Sequence, residues 1–527
     1  MISLISNKLK SIRFLPIILT LLALLPLPSV LHEWARRIAY EWSGPYTWDT
    51  TVYWAVGRAI VNGFVNYRDI MDIKPPGIHL LSAASFWLSD GVWLTNFAQV
   101  IALLTIVLAS IGSIWLVLPK SLKKKERALW LIFALGFGLL LSLYAAKRSG
   151  EVQVESFGAA VGVLYLWGLL WKPATFIGKA LRFALLTLAL LGSCGFKEPF
   201  LFVAIAVACV FLNSAKAWLK DFIYPLVSAI FLGLLALLFT GSLFAYVGQY
   251  LRFMLSTHVS RFGSPWLRGL QFIGFKDDAN QFSLGFGYLL FLLGIFLIWK
   301  SLRLSVAHDE RLWIRLFTVI RVGLAIYLPM FAVGLGGEFY NHHHVFAVPA
   351  LLAWFVWFAK QEALLDGIAK SAWMLLVLSF TCVSALAFVP DDYEGQLRNL
   401  QNASIGGKSE AAYVDEVLNR VQVQRYVYLG LNGPQLYGWT KHSPMGPLFI
   451  QTPNWMLVPG WGDCFMDSLR TAQLVVEENI GDLGDSTAPA KAYLEQEFTQ
   501  QPWKRVADIP RGQNVYRIYF RKNAAFE

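Results

Sequence analysis

Charge is scarce in this 527-residue chain: Asp, Glu, Lys and Arg make up 15% of it, against 56% hydrophobic residues. Soluble globular domains carry charge on about a quarter of their residues, so an ordinary soluble domain is excluded. With a mean hydropathy of +0.50, the chain reads as a membrane protein. Cysteine is scarce too. Cys194, Cys209 and Cys382 fall in apolar runs and Cys464 lies alone in the polar C-terminal region, which excludes a disulfide framework. Internal repeats, heptads and low-complexity tracts are absent. The formal charge of +11 would suit nucleic acid, but the Lys and Arg residues gather in short loops between apolar blocks, as orientation signals do. Nucleic acid is therefore not expected as a partner.

What is present is a series of apolar runs near the length that crosses a hydrocarbon core of about 30 Å. About eleven crossings are expected: Phe14–Leu31, Val92–Leu118, Ala128–Ala145, Phe157–Leu170, Phe183–Phe196, Phe200–Leu212, Phe222–Leu243, Phe282–Trp299, Leu316–Leu335, Val345–Phe358 and Ala372–Val389. The run from Phe14 is long and lacks a clear small-residue cleavage site, so it reads as an uncleaved first span. With a cytoplasmic N-terminus, the clusters Lys123–Arg127, Lys172 to Arg182, Lys216 with Lys220, and Lys300–Arg315 all fall inside. That pattern requires Pro75–Leu88 to stay at the outer interface as an in-plane helix. Lys197 divides two short crossings. The expected fold is an α-helical polytopic membrane protein with a small C-terminal α/β domain. Residues 1–389 form the membrane domain, with a large first outer loop at 32–91, and residues 390–527 a soluble non-cytoplasmic domain. In the latter, Val414, Val417, Leu418 and Val421 share a helical face, and the stretches from Arg425 and Asn514 are rich in strand formers.

A transport pathway needs ionisable groups deep within spans, and these spans nearly lack them. Acidic residues collect instead at proposed outer ends: Glu41, Asp49, Asp69, Asp72, Glu151, Glu155 and Glu338. On the same side stand Arg58, Arg68, Lys74, Lys147, Arg148, Lys197, Arg252 and the run His342, His343, His344. Bases and phosphate binders at a membrane surface suit an enzyme there.

The residues leave plain alternatives beside that chemistry. Asp49 opens an amphipathic helix beginning near Thr50; it either caps the helix or takes a proton from an acceptor hydroxyl, with Tyr53 one turn on. Lys74, held out of helical geometry by Pro75, either snorkels to headgroups or serves as a fixed cation for a lipid-linked phosphate. Asp69 and Asp72 make a weak metal pair or a solvated turn. The three histidines bind a metal, contact phosphate or acceptor, or cap a polar loop, and on a helix, where neighbours point about 100° apart, they cannot all meet one ion. Tyr246, Tyr250, Trp266 and Arg268 are candidates for a lid or for acceptor contacts.

An early outer-loop Asp49, then G-x-x-x-Y-x-D from Gly63 and K-P-P from Lys74, then Glu155 and the stretch from His343 to Pro349, resemble the GT-C membrane glycosyltransferases, in particular the bacterial branch similar to protein O-mannosyltransferases and the aminoarabinose transferase of lipid A. The resemblance implies sugar transfer from a polyprenyl-phosphate donor to an acceptor hydroxyl on a glycolipid, polysaccharide or protein, with inversion, at the outer face of the plasma (inner) membrane. It makes Asp49 the general base and gives Lys74, with His343, His344 or Arg148, the departing phosphate. Glu155 would position the acceptor or a metal; Tyr53, Arg58, Tyr67, Asp69, Tyr340 and His342 are expected at the substrates. The chain departs from the family pattern at Thr50, where many relatives carry a second acidic residue. No cofactor is required by these motifs, and a divalent metal stays an open alternative. The rival readings are a transporter or flippase for a lipid-linked saccharide, which should show charges or broken helices at mid-membrane, a polysaccharide polymerase or ligase, and a scaffold, which leaves the outer carboxylates without a role.

Overall fold

The computed structural model describes residues 20–21, 23–43, 48–89, 93–149, 152–255, 263–271, 312–335, 341–362, 411–430, 436–438, 440–445, 448–449, 460–478, 485–500 and 516–522. Among them six helices are long and apolar enough to cross a membrane: Leu94–Val117, Lys124–Ala146, Phe176–Phe196, Ala215–Phe239, Leu316–Leu335 and His342–Lys360. Val154–Leu170 and Phe200–Phe211 are apolar but shorter. The chain is a polytopic α-helical membrane protein with a small α/β portion. The expected crossings Phe282–Trp299 and Ala372–Val389 lie outside the described residues, as do residues 14–19 of the first. The end of that first run continues as the helix Leu27–Ser43. Two compact units emerge, one of residues 1–37, 97–233 and 255–390, the other of residues 38–96, 234–254 and 391–527.

In the first unit, burial grades the helices. The most apolar stretch of His342–Lys360 is 89% buried and that of Ala215–Phe239 only 17%. The former is interior, while the latter turns Val227, Ile230 and Phe231 outward, as a lipid-facing helix must. Val154–Leu170 is buried along most of its length because glycine lets its neighbours close in. A Cβ at Gly158 would fall 2.2 Å from the Phe200 ring, and one at Gly162 would fall 2.9 Å from Pro349. Phe176–Phe196 is capped by the Thr175 hydroxyl, which accepts from the Gly178 amide. It ends at Lys197, whose extended backbone (φ −161°, ψ 121°) separates it from Phe200–Phe211. The break at Lys197 is thus two helices. Within Ala215–Phe239, Leu219–Ile223 form a π-helical turn that buries Asp221 and Phe222.

In the second unit the helices Trp48–Val61 and Pro76–Ser89 pack directly, with Gly57 against Ser82 so closely that a Cβ would meet it at 2.6 Å. The strand β1 (Ile70–Met71) between them pairs in parallel with β4 (Leu448–Phe449). The remaining strands form a five-stranded sheet from β2 (Arg425–Leu429), β3 (Ser443–Pro444), β5 (Leu474–Glu478), β6 (Phe498–Gln500) and β7 (Tyr516–Arg521), in the order β3-β2-β5-β7-β6. β2 runs parallel to β3 and β5; β7 is antiparallel to β5 and β6. The helix Trp461–Thr471 covers this sheet through Trp461, Phe465 and Leu469, and Ile73 and Phe253 pack on the same core. Buried carboxylates of β5 are satisfied by tyrosines: the Tyr428 hydroxyl donates to Glu478 and that of Tyr519 to Glu477. Burial, then the hydrogen bond to Glu477, pushes Tyr519 up to about 12. Residues 411–420 are helical, with Val414 and Leu418 buried as their spacing predicts.

Candidate functional site

The second unit assembles the first-loop residues around one lysine. Asp49 lies in the first turn of Trp48–Val61, where a carboxylate is favoured by the free amides of the helix start. Its Oδ2 is 3.3 Å from Lys74 Nζ. Lys74 is buried, and its ammonium lies 5.8 Å from the centroid of the Tyr53 ring, within range of a cation–π attraction. Tyr67 is buried as well, and its hydroxyl donates to the Lys74 carbonyl at 2.8 Å. Tyr67 takes a φ of +63°, a left-handed conformation that costs a bulky residue about 1 kcal/mol. Rings offset that strain, for Tyr246 and Tyr250 pack on Tyr67 with centroids 5.4 and 4.8 Å away.

Beneath Lys74 runs a buried polar chain. The Tyr67 amide donates to Asn66 Oδ1, so the Asn66 amide group is the donor to His79 Nδ1 at 2.9 Å. The imidazole then donates from Nε2 to Asp72 Oδ2, also at 2.9 Å, and Asp72 Oδ1 accepts the Ile73 amide. These contacts fix the peptide on both sides of Lys74. They hold Lys74 in place as a buried cation beside Asp49, not one presented at the surface. Sequence reasoning placed Asp72 with Asp69 as a weak metal pair and gave His79 no role. The structure gives the two carboxylates different partners: Asp69 accepts two hydrogen bonds from Arg68 and one from the Val65 amide. Burial alone would raise Asp69, but Arg68 and the Val65 amide outweigh it and hold the carboxyl below its ordinary value. Arg58 donates to the carbonyls of Gly438 and Thr440, a clamp on the C-terminal segment.

The first unit holds Glu155 in the first turn of Val154–Leu170, fully buried. Lys197 Nζ is 3.6 Å from Glu155 Oε1, and among the described residues neither carboxylate oxygen has a hydrogen-bond partner. His342 and His343 sit on a 3-10 segment, Asn341–Ala347. With Glu155 each offers one ligand atom, all within 4.8 Å of one another. Two consecutive histidines therefore do share one site. Two imidazoles and a carboxylate are a donor set that suits a divalent transition metal, and the unsatisfied oxygens of Glu155 fit such an ion. Lys197 occupies the same carboxylate as a competing cation. His344 is buried beside them in the chain. Arg148 belongs to the helix Lys124–Ser149, but its side chain, like all of Tyr340, lies outside the described residues. Trp266, a candidate for a lid or for acceptor contacts, stacks on Tyr327 and Phe331 of Leu312–Leu335, and Arg268 is buried.

Taken with its many-helix membrane body and small sheet, the chain has the fold of the GT-C membrane glycosyltransferases. It is similar to the crystal structure of ArnT from Cupriavidus metallidurans bound to undecaprenyl phosphate, with a TM-score of 0.52 and 14% identity over 94% of this chain and 97% of that one. The same protein in the apo state gives a TM-score of 0.48 and 15% identity over 89% and 92%. No protein-family model and no curated protein matches the chain.

Proposed function

We propose that the chain transfers a sugar from a polyprenyl-phosphate donor to an acceptor hydroxyl on a glycolipid, polysaccharide or protein, at the outer face of the plasma membrane. The observation that carries this reading is the Asp49–Lys74 pair, 3.3 Å apart, in a chain whose fold is shared with a protein captured on undecaprenyl phosphate. An aspartate carboxylate within reach of an acceptor hydroxyl can act as a general base. Asp49 takes the proton of the acceptor hydroxyl, the freed oxygen bonds to the sugar's anomeric carbon, and the bond from that carbon to the phosphate oxygen breaks. The electron pair leaves with the phosphate. Lys74 then meets the charge that develops on the leaving group, and attack opposite the departing phosphate inverts the anomeric centre.

A metal-assisted version is favoured by one observation, the convergence of Glu155, His342 and His343. An ion held there would supply Lewis-acid polarisation of an oxygen. The test of the main reading uses membranes carrying wild type or Asp49→Asn with radiolabelled lipid-linked sugars. Transfer should fall by about a hundredfold or more, as for loss of a general base; undiminished transfer removes Asp49 from the role.

A further inference from the structure

Two parties compete for the Glu155 carboxylate. Lys197 Nζ stands 3.6 Å from its Oε1, beyond the roughly 2.7–2.9 Å at which an ammonium hydrogen-bonds a carboxylate, so the ion pair is loose. From the 3-10 segment, His342 and His343 each bring a ring nitrogen within 4.8 Å of a Glu155 oxygen. Two imidazole nitrogens beside one carboxylate oxygen favour ions such as zinc and cobalt over magnesium and calcium, which ask for oxygen ligands.

Ammonium and metal ion cannot both be well placed. Glu155 is fully buried and Lys197 is buried too, and like charges that share a poorly solvated neighbour repel strongly. A divalent ion bonded to Glu155 would therefore push against the lysine that already neutralises it. Lys197 can give way without any helix moving. It is the residue that ends Phe176–Phe196, and its backbone is engaged on both sides: its amide donates to the Ser193 carbonyl and its carbonyl accepts the Phe200 amide. Only the side chain has to turn, about the flexible bonds of a lysine stem.

We propose that Lys197 is a built-in competitor of a transition-metal ion for Glu155: ammonium and ion are alternative occupants of one carboxylate, and loading of the ion expels the lysine side chain. The site then admits an ion that imidazole holds strongly. It rejects one that depends on the carboxylate alone, because that carboxylate is already taken. The inference deepens the metal-assisted reading and rests on it for any effect on transfer, while the exchange itself is tested without turnover.

Tag-free full-length protein in detergent, stripped with a chelator, is titrated with cobalt(II), whose visible ligand-field bands report direct coordination. Lys197→Met should tighten cobalt binding by about tenfold or more, the effect of removing a like charge from a buried neighbour; Lys197→Arg, which keeps the charge, should not tighten it. The pair of changes His342→Ala and His343→Ala should abolish the bands, and excess magnesium should not displace cobalt. Lys197→Met leaves Glu155 buried without its counter-charge and can cost the fold, so a measurement on wild type accompanies it. Reductive methylation read by mass spectrometry should label Lys197 several-fold faster with zinc present, and no faster with magnesium. Equal or weaker cobalt binding by folded Lys197→Met, tightening by Lys197→Arg, bands in neither protein, bands that survive loss of both histidines, displacement by magnesium, or methylation that zinc leaves unchanged or slows overturns the proposal. If Asp49→Asn transfers normally while zinc still releases Lys197, the transferase reading falls and the exchange stands. If Asp49→Asn is inactive and zinc does not release Lys197, only the role given to the lysine falls.

Discussion

The helix Val154–Leu170 has a buried ion pair toward each of its ends, and the two are built differently. Near its C-terminal end Arg182 Nη1 donates to Asp221 Oδ1 at 2.7 Å, Arg182 Nε donates to the Gly168 carbonyl at 2.8 Å, and Lys172 stands 3.6 Å from the other carboxylate oxygen. One guanidinium nitrogen, Nη2, is left over among the described residues. At its N-terminal end Glu155 meets Lys197 only at 3.6 Å, and among the described residues both of its oxygens go without a hydrogen bond. A buried charge is costly unless paired and hydrogen-bonded. The first pair meets that requirement and acts as a clamp. The second leaves a carboxylate under-satisfied in the interior, which natural proteins tolerate where a ligand or ion completes the group.

This contrast can be broken by mutation, starting with the largest effect. Asp221→Asn leaves Arg182 inside without its counter-charge and should cost about 3–5 kcal/mol, read as a lowered melting temperature in detergent. An unchanged melting temperature would show that the pair is no clamp. Glu155→Gln should shift stability less than that and lower transfer by about a hundredfold; elemental analysis should show its divalent metal content falling below that of wild type if Glu155 is a ligand. Pairing it with Lys197→Met removes both charges, so stability should return to within about 1 kcal/mol of wild type while transfer stays lost. A double variant that is as unstable as Asp221→Asn would make both ends structural. The baseline is a solvated pair, Arg420 with Glu416: Arg420→Ala should change stability by less than about 0.5 kcal/mol, measured in the same melting assay.

The apolar bulk, the break at Lys197 and the strand stretches of the C-terminal part were all legible in the sequence, since each rests on local composition. Helix starts were less so, for a tertiary reason. The run at Phe183 reads as beginning after Arg182, yet the helix starts at Phe176, because Arg182 finds Asp221 and the Gly168 carbonyl across the packing. Asp221 and Lys220 hide the start of Ala215–Phe239 in the same way. In the first loop, Asp49, Tyr53, Tyr67 and Lys74 stood out by motif, and the structure brings them together. Their support did not stand out: Asn66, Asp72 and His79 are joined by a folded-back loop that no linear spacing encodes. One signal was available, a histidine within the apolar helix Pro76–Ser89, which in a buried setting calls for polar partners. The histidine run was read with α-helical angles, and the 3-10 turn with the reach of the side chains lets His342 and His343 meet at Glu155.

The π-helical turn Leu219–Ile223 has a consequence for how a membrane-facing rod can also carry a charge. Most of Ala215–Phe239 meets lipid, where a carboxylate would not be tolerated. One wide turn changes the angular phase of the helix, and with it Asp221 and Phe222 face inward while Val227, Ile230 and Phe231 keep their outward heading. Removing a single residue from that turn would restore the ordinary pitch and swing one side of the helix by about 100° relative to the other. Register here acts as an address: the same amino acids, counted one short, would send the clamp's carboxylate to the bilayer or the apolar stripe to the interior.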